Sequence, residues 1–323
     1  MEVKRATVIL SLLVFAVQMP LFAAVQVLDP AYQAEVYTTY SGVSWGASRI
    51  AADSSGNLYI THTNAQVNKI TSDKTVINNW STGFNTPWSI VDATGTSYGD
   101  KLYVTENSGS ISTINFNTGA RSSFTSLSAA SGLAIDKTGN YGGSMYAGTT
   151  VSDTIERIST SGQKTTFCSY FAGMGGGGIA SVAFDSSNQY GGSMFAATWS
   201  ASDSRSGIYA INQQGQATRF CSNLVWGSDI EFDALGVFFD GDMFATGKEK
   251  STDSLQLYRI GSDGIATPFI RADGEINGFT FGADGALYFH EYYQGASNII
   301  RVVPEPATML LLGLGCLGLY RRK

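Results

Sequence analysis

Four tryptophans, one arginine and one aspartate have the side chains best suited to ligand chemistry: Trp45, Trp88, Trp199, Trp226, Arg49 and Asp229. An indole face stacks on the apolar face of a sugar ring, while a guanidinium and a carboxylate fix its hydroxyls. Indoles also fill gaps between packed sheets, and at the level of sequence both readings stand. His62 and His290 belong to no H-E-x-x-H pattern and to no nucleophile elbow, and His290-Glu291 is a lone dipeptide. Gly173–Gly178 precedes neither a helix nor a Lys, so it is a crossing loop and not a phosphate loop.

These residues are far apart in the chain, and a repeat must bring them together. An apolar strand ending in Asp recurs as Ile50-Ala51-Ala52-Asp53, Ser89-Ile90-Val91-Asp92, Leu133-Ala134-Ile135-Asp136, Val182-Ala183-Phe184-Asp185 and Ile230-Glu231-Phe232-Asp233. A sixth copy, Phe279-Thr280-Phe281-Gly282, has lost the Asp. The copies are 39 to 49 residues apart, the length of a four-stranded propeller blade. Each continues through a turn into a second strand such as Leu58-Tyr59-Ile60 or Met145-Tyr146-Ala147. A third strand follows, ending as in Arg157-Ile158, and then a fourth carrying Phe124, Phe167, Phe220 or Phe269.

The sixth copy stops after its third strand, and residues 33–40 resemble a fourth: Gln33-Ala34-Glu35-Val36-Tyr37 mirrors Gln216-Ala217-Thr218-Arg219-Phe220. The expectation is an all-β, six-bladed β-propeller whose N-terminal strand closes the last blade. A signal helix would precede it and a short apolar helix would follow. Closure of this kind leaves no open gap between the first and last blades. Cys168 and Cys221 occupy equivalent outer positions of neighbouring blades, which diverge outward, so two free, part-buried thiols are expected.

The repeat also gathers the candidate residues. Trp45, Arg49, Trp88, Asp229 and Asn277 precede first strands, with Trp226 nearby. His62, Glu106 and Glu291 follow second strands, with Trp199 and His290 beside them. Both sets map to one face. On the other face Tyr141-Gly142-Gly143-Ser144-Met145 recurs as Tyr190-Gly191-Gly192-Ser193-Met194. It reads as a structural turn in preference to a Ca²⁺ loop.

Composition agrees with many short strands and tight turns: 37 Gly against 6 Pro, with only 14% charged residues. The net charge of −6 becomes more negative without the basic ends, which argues against a nucleic-acid partner. Residues 1–24 read as a secretory signal: Lys4-Arg5, the apolar run Val8–Val17, then Ala23-Ala24. Residues 25–303 would be the propeller. Residues 304–323 form a third unit: Pro304-Glu305-Pro306, the apolar stretch Met309–Tyr320, and Arg321-Arg322-Lys323. The apolar stretch is short for a membrane span, and the basic end would stay cytoplasmic.

That order resembles the PEP-CTERM sorting signal, also catalogued as the C-terminal domain of certain ice-binding proteins. The resemblance implies an exosortase-type transpeptidase as partner, membrane attachment before processing near Pro304–Pro306, and the envelope or matrix of a Gram-negative-type bacterium as destination. The blade pattern is similar to NHL-type and gluconolactonase-like propellers. The latter hold a divalent metal at the axis with Glu, Asn and Asp, which by resemblance would draw on Glu106, Asp229, Glu231 and Asn277. No motif fixes any of the four. The expected function is non-enzymatic binding of a glycan or protein at the cell surface, without a required cofactor. A metal-dependent lactonase or hydrolase and a purely structural envelope protein are the alternatives.

Overall fold

A computed structural model describes residues 25–40, 49–171, 178–199, 205–249, 256–293 and 296–306, with the backbone alone at Trp226 and Glu249. The expected signal helix, Trp45, most of Gly173–Gly178 and the apolar tail lie outside the described residues. The described chain is all-β and forms six sheets arranged as the blades of a propeller.

Blade 1 comprises Ile50–Ala52, Leu58–His62, Gln66–Ile70 and Val76–Thr82. Blade 2 comprises Pro87–Asp92, Leu102–Glu106, Ser110–Ile114 and Arg121–Ser126. Blade 3 comprises Ala130–Ile135, Met145–Thr149, Ile155–Ile158 and Lys164–Cys168. Blade 4 comprises Gly178–Phe184, Met194–Trp199, Gly207–Ile211 and Ala217–Cys221. Blade 5 comprises Leu224–Phe232, Met243–Glu249, Gln256–Ile260 and Ala266–Arg271. Blade 6 comprises Glu275–Phe281, Leu287–Tyr293 and Ala296–Pro304, completed by Tyr32–Tyr40. All neighbouring strands are antiparallel, as hairpin connections require.

The closing strand pairs with the last strand from Tyr32↔Pro304 to Tyr40↔Ser297, so the ends of the chain are knitted together as the repeat predicts. That last strand runs to Pro304, one residue beyond the expected boundary at 303. One element has no sequence precursor: Gln26–Val27 adds a fifth strand to blade 5, pairing Gln26↔Arg271 and Val27↔Ile270. Two residues are too few to show a period.

Apolar side chains meet between blades, one core per seam. Ala51, Tyr59 and Ile90 pack between blades 1 and 2. Cys168, Ile179 and Tyr209 pack between blades 3 and 4. Burial falls with distance from the axis. Leu102–Glu106 is buried throughout, while most of Arg121–Ser126 is exposed. Cys168 and Cys221 are free and buried, and burial raises both thiols above the usual range.

In blades 1, 3, 4 and 5 the Asp that ends the first strand clamps its hairpin. Asp136 accepts backbone N–H bonds from Thr138, Gly139, Tyr141 and Gly143, at 3.0, 3.0, 2.7 and 2.9 Å. Asp185 accepts from Ser187, Tyr190 and Gly192. Gly142 and Gly143 both have positive φ, 75° and 63°, which explains the doubled glycine. The clamp carboxylates are thus occupied by their own turns, which is the structural-turn reading.

The tyrosine of each insert latches the next blade. Tyr141 Oη accepts from Met194 N at 2.8 Å and donates to Ile211 O at 2.5 Å. Tyr190 does the same to Met243 N and Ile260 O, and Tyr98 to Met145 N and Ile158 O.

Candidate functional site

The first strands surround an axial channel of about 220 Å³. Ser89, Ala134, Ser181 and Ala183 contribute small side chains to its wall. Arg49 and Asp229 mark one end, where first strands begin, and Lys137 and Ser186 the other, beside the hairpins.

Local repetition positions the first end. Thr61 follows the second-strand motif of blade 1, and its Oγ1 accepts from Arg49 N at 3.0 Å and donates to Trp88 O at 3.1 Å. Thr105 repeats this one blade on, accepting from Ser89 N and donating to Ser131 O. Each threonine therefore ties the start of its own first strand to the next blade. Arg49 and Ser89 occupy the same place in consecutive repeats, and Thr61 holds both Arg49 and, from the next blade, Trp88 at the channel mouth.

Arg49 is buried and fully engaged. Its Nε lies 3.4 Å from Asp229 Oδ1, Nη1 donates to Asn277 O at 2.5 Å, and Nη2 donates to Ser228 O at 2.5 Å. Asp229 also accepts from Ser181 Oγ at 3.0 Å. Burial raises the Asp229 carboxyl above the usual carboxylate range, against the opposing pull of Arg49. Glu231, two residues on and facing the same channel, is pushed well above its ordinary value by burial and then by the nearby Asp229. At this register the other repeats carry Ala51, Val91, Ala134, Ala183 and Thr280, so Glu231 is the one carboxylate at this level of the wall.

Two tryptophans stand at this mouth. Trp88 and Trp199 face each other with ring centroids 6.5 Å apart and planes inclined by 19°. The Arg49 guanidinium carbon is 6.0 Å from the Trp88 ring centroid. Trp199 is 40% exposed, so one indole is presented to solvent. Trp88 Nε1 is buried with no hydrogen-bond partner among the described residues. Trp226 lies in the strand Leu224–Phe232 by its backbone.

The candidate metal ligands do not gather into one set. Asp229 and Asn277 meet, but around the Arg49 guanidinium. Glu106 turns outward in blade 2, accepting from Asn85 N and Ser112 Oγ and pairing with Arg121 at 2.6 Å. Glu231 receives a 3.4 Å bond from Thr280 Oγ1. A dication needs several free oxygens converging at 2.0–2.6 Å, and a buried guanidinium in their midst repels it. The residues present do not fit an axial divalent metal. Among the described residues no group of three or more His, Cys, Asp and Glu is placed to hold a metal ion.

The histidines lie at the same end but inside the protein, at the seam of blades 6 and 1. His62 Nε2 is 3.2 Å from Tyr40 Oη, and the two imidazoles are 5.9 Å apart between centroids. Both are buried. Burial lowers His62 to about 3, with help from His290, and lowers His290 to about 4. They are neutral packing groups at ordinary pH.

Known structures share the architecture. A gluconolactonase from Xanthomonas campestris superposes with a TM-score of 0.61 at 12% identity, covering 82% of this chain and 88% of its own. Virginiamycin B lyase from Staphylococcus aureus gives 0.54 at 12%, covering 85% and 100%. Regucalcin from Agrobacterium tumefaciens, a calcium-binding protein, gives 0.55 at 13%, covering 80% and 91%. At such identities the likeness is one of fold. No curated protein matches the sequence. Residues 302–323 match the PEP-CTERM protein-sorting motif, which implies export to the cell envelope, membrane association before processing, and processing by an exosortase. The chain is a six-bladed β-propeller of the gluconolactonase and NHL-like architecture, carrying a PEP-CTERM sorting motif.

Proposed function

We propose that this is a cell-surface binding protein whose propeller recognises carbohydrate of the envelope or extracellular matrix at the Arg49 mouth. The observation that carries this reading is the near-parallel Trp88–Trp199 pair, with Trp199 open to solvent beside the Arg49–Asp229 ion pair. A solvent-facing indole next to fixed charges suits a sugar, which offers an apolar ring face and peripheral hydroxyls. The Trp88 N–H, without a partner among the described residues, adds a donor that a ligand oxygen could satisfy.

The test is a glycan array probed with the propeller and with Trp199→Ala. Wild type should bind a defined set of glycans, and Trp199→Ala should weaken those hits at least tenfold while melting like the parent. Unchanged binding by Trp199→Ala removes the reading.

A second reading, lactone hydrolysis, is favoured by the fold likeness to gluconolactonase. It requires a metal that Arg49 now opposes. One tightly bound divalent ion per chain by elemental analysis, with turnover of a sugar lactone, would favour it over binding.

A further inference from the structure

The position of the sorting tail fixes which face of the propeller meets the membrane. The last strand, Ala296–Pro304, begins at the mouth face, where Ser297 pairs with Tyr40, and ends at the hairpin face, where Pro304 pairs with Tyr32. Glu305 N then donates to Ala31 O at 2.8 Å. Between Glu305 and the apolar stretch starting at Met309 lie only Pro306, Ala307 and Thr308. Three residues reach about 10 Å at full extension. While that stretch is embedded, the hairpin face is held against the lipid surface. The mouth face stands about 25 Å further out, the length of a nine-residue strand.

The hairpin face near this exit carries exposed apolar side chains. Tyr32 Oη donates to Phe238 O at 2.9 Å, which puts the loop before Phe238 beside the departing chain. That loop presents Leu235, 54% exposed, and Val237, 58% exposed, and the neighbouring outer hairpin of blade 5 presents Ile265, 56% exposed. Exposed Asp240 and Asp263 accompany them, a charge that suits zwitterionic lipid better than anionic lipid. A few apolar side chains bind a bilayer weakly. The tail supplies the high effective concentration that makes a weak contact sufficient.

We propose that Leu235, Val237 and Ile265 form a lipid-contacting patch that seats blade 5 on a zwitterionic bilayer while the tail is attached. The Trp88–Trp199 mouth then faces away from the membrane. This rests on the sorting motif and stands whether or not the mouth binds carbohydrate.

The experiment uses the chain without its signal, residues 25–323, with Cys316→Ala, reconstituted in phosphatidylethanolamine–phosphatidylcholine vesicles. Single cysteines introduced by Val237→Cys, Ile265→Cys or Val151→Cys carry an environment-sensitive fluorophore. Val151 is also apolar, 72% exposed, and lies on the mouth face, so it controls for hydrophobicity. Buried Cys168 and Cys221 stay unlabelled in the folded protein. Lipid-attached quencher should quench positions 237 and 265 at least threefold more than 151, and phosphatidylglycerol should reduce the difference. Equal quenching at 151, or none at 237 and 265, overturns the proposal. So does shielding of 237 that depends on protein concentration without vesicles, which would mean that a second copy covers the patch.

Discussion

The two faces of this propeller solve different problems with the same repeat. On the hairpin face one solution recurs: an Asp clamps the turn in blades 1, 3, 4 and 5, and a tyrosine of blades 2, 3 and 4 latches the next blade, the two together at Asp136 with Tyr141 and at Asp185 with Tyr190. On the mouth face the equivalent positions diverge. Arg49, Ser89, Gly132, Ser181, Asp229 and Gly278 occupy one register of the six repeats. Recurrence marks what holds one blade to the next. Divergence marks where the ring presents one asymmetric surface.

If this contrast is right, changes to shared features should cost stability, and changes at the divergent exposed positions should cost little. The largest effect is expected at the seam. Deleting residues 31–40 removes the strand paired with Ala296–Pro304 and should abolish cooperative thermal unfolding. A truncated protein that melts like the parent would disprove closure.

Asp136→Ala strips the acceptor from four backbone N–H groups and should lower stability by about 3 kcal/mol or more in urea titrations. Arg49→Ala, at the mouth but buried, leaves Asp229 without its partner and should cost about 3–5 kcal/mol. The double change Arg49→Ala/Asp229→Ala should cost less than the sum of the two single changes. Strict additivity would mean that the pair is not coupled.

Acid sharpens the comparison at the buried histidines. Their folded values, about 3 and about 4, lie below the unfolded value near 6.5, so the unfolded chain binds protons first. The stability they contribute is complete above pH ~6.5 and is lost as pH falls toward 4, on the order of 3 kcal/mol per histidine. Chemical denaturation between pH 7 and pH 4 should show this slope, and His62→Gln should flatten it.

Tyr141→Phe leaves Met194 N–H and Ile211 C=O without the latch and should cost about 1–3 kcal/mol. Trp199→Ala, at a divergent and exposed position, should shift stability by less than about 1 kcal/mol. A larger loss would return Trp199 to the role of packing residue.

Much of this was legible in the chain. The six copies of the apolar first strand, five of them ending in Asp, set the blade count, and the sixth copy's missing fourth strand pointed to residues 33–40. The recurring Tyr141-Gly142-Gly143 announced a structural turn. The equivalence of Cys168 and Cys221 announced free thiols. Each is a local pattern repeated often enough to stand out. The latch role of Tyr141 was hidden, because its partners Met194 and Ile211 lie 53 and 70 residues away. Thr61 and Thr105 were hidden as well, since a threonine after an apolar strand has no distinctive signature.

The sequence by itself determined the architecture and the destination. Period and strand pattern report burial, which depends on local alternation, and the sorting tail is read as a linear motif. Only the tertiary structure decided the chemistry of the mouth. Whether Asp229 and Asn277 face a metal or the Arg49 guanidinium depends on three blades converging on one axis. Whether Glu106 joins them depends on which way a single side chain turns, and it turned to Arg121. Those outcomes are set by competition among charges a few ångströms apart, and no spacing along the chain encodes those distances.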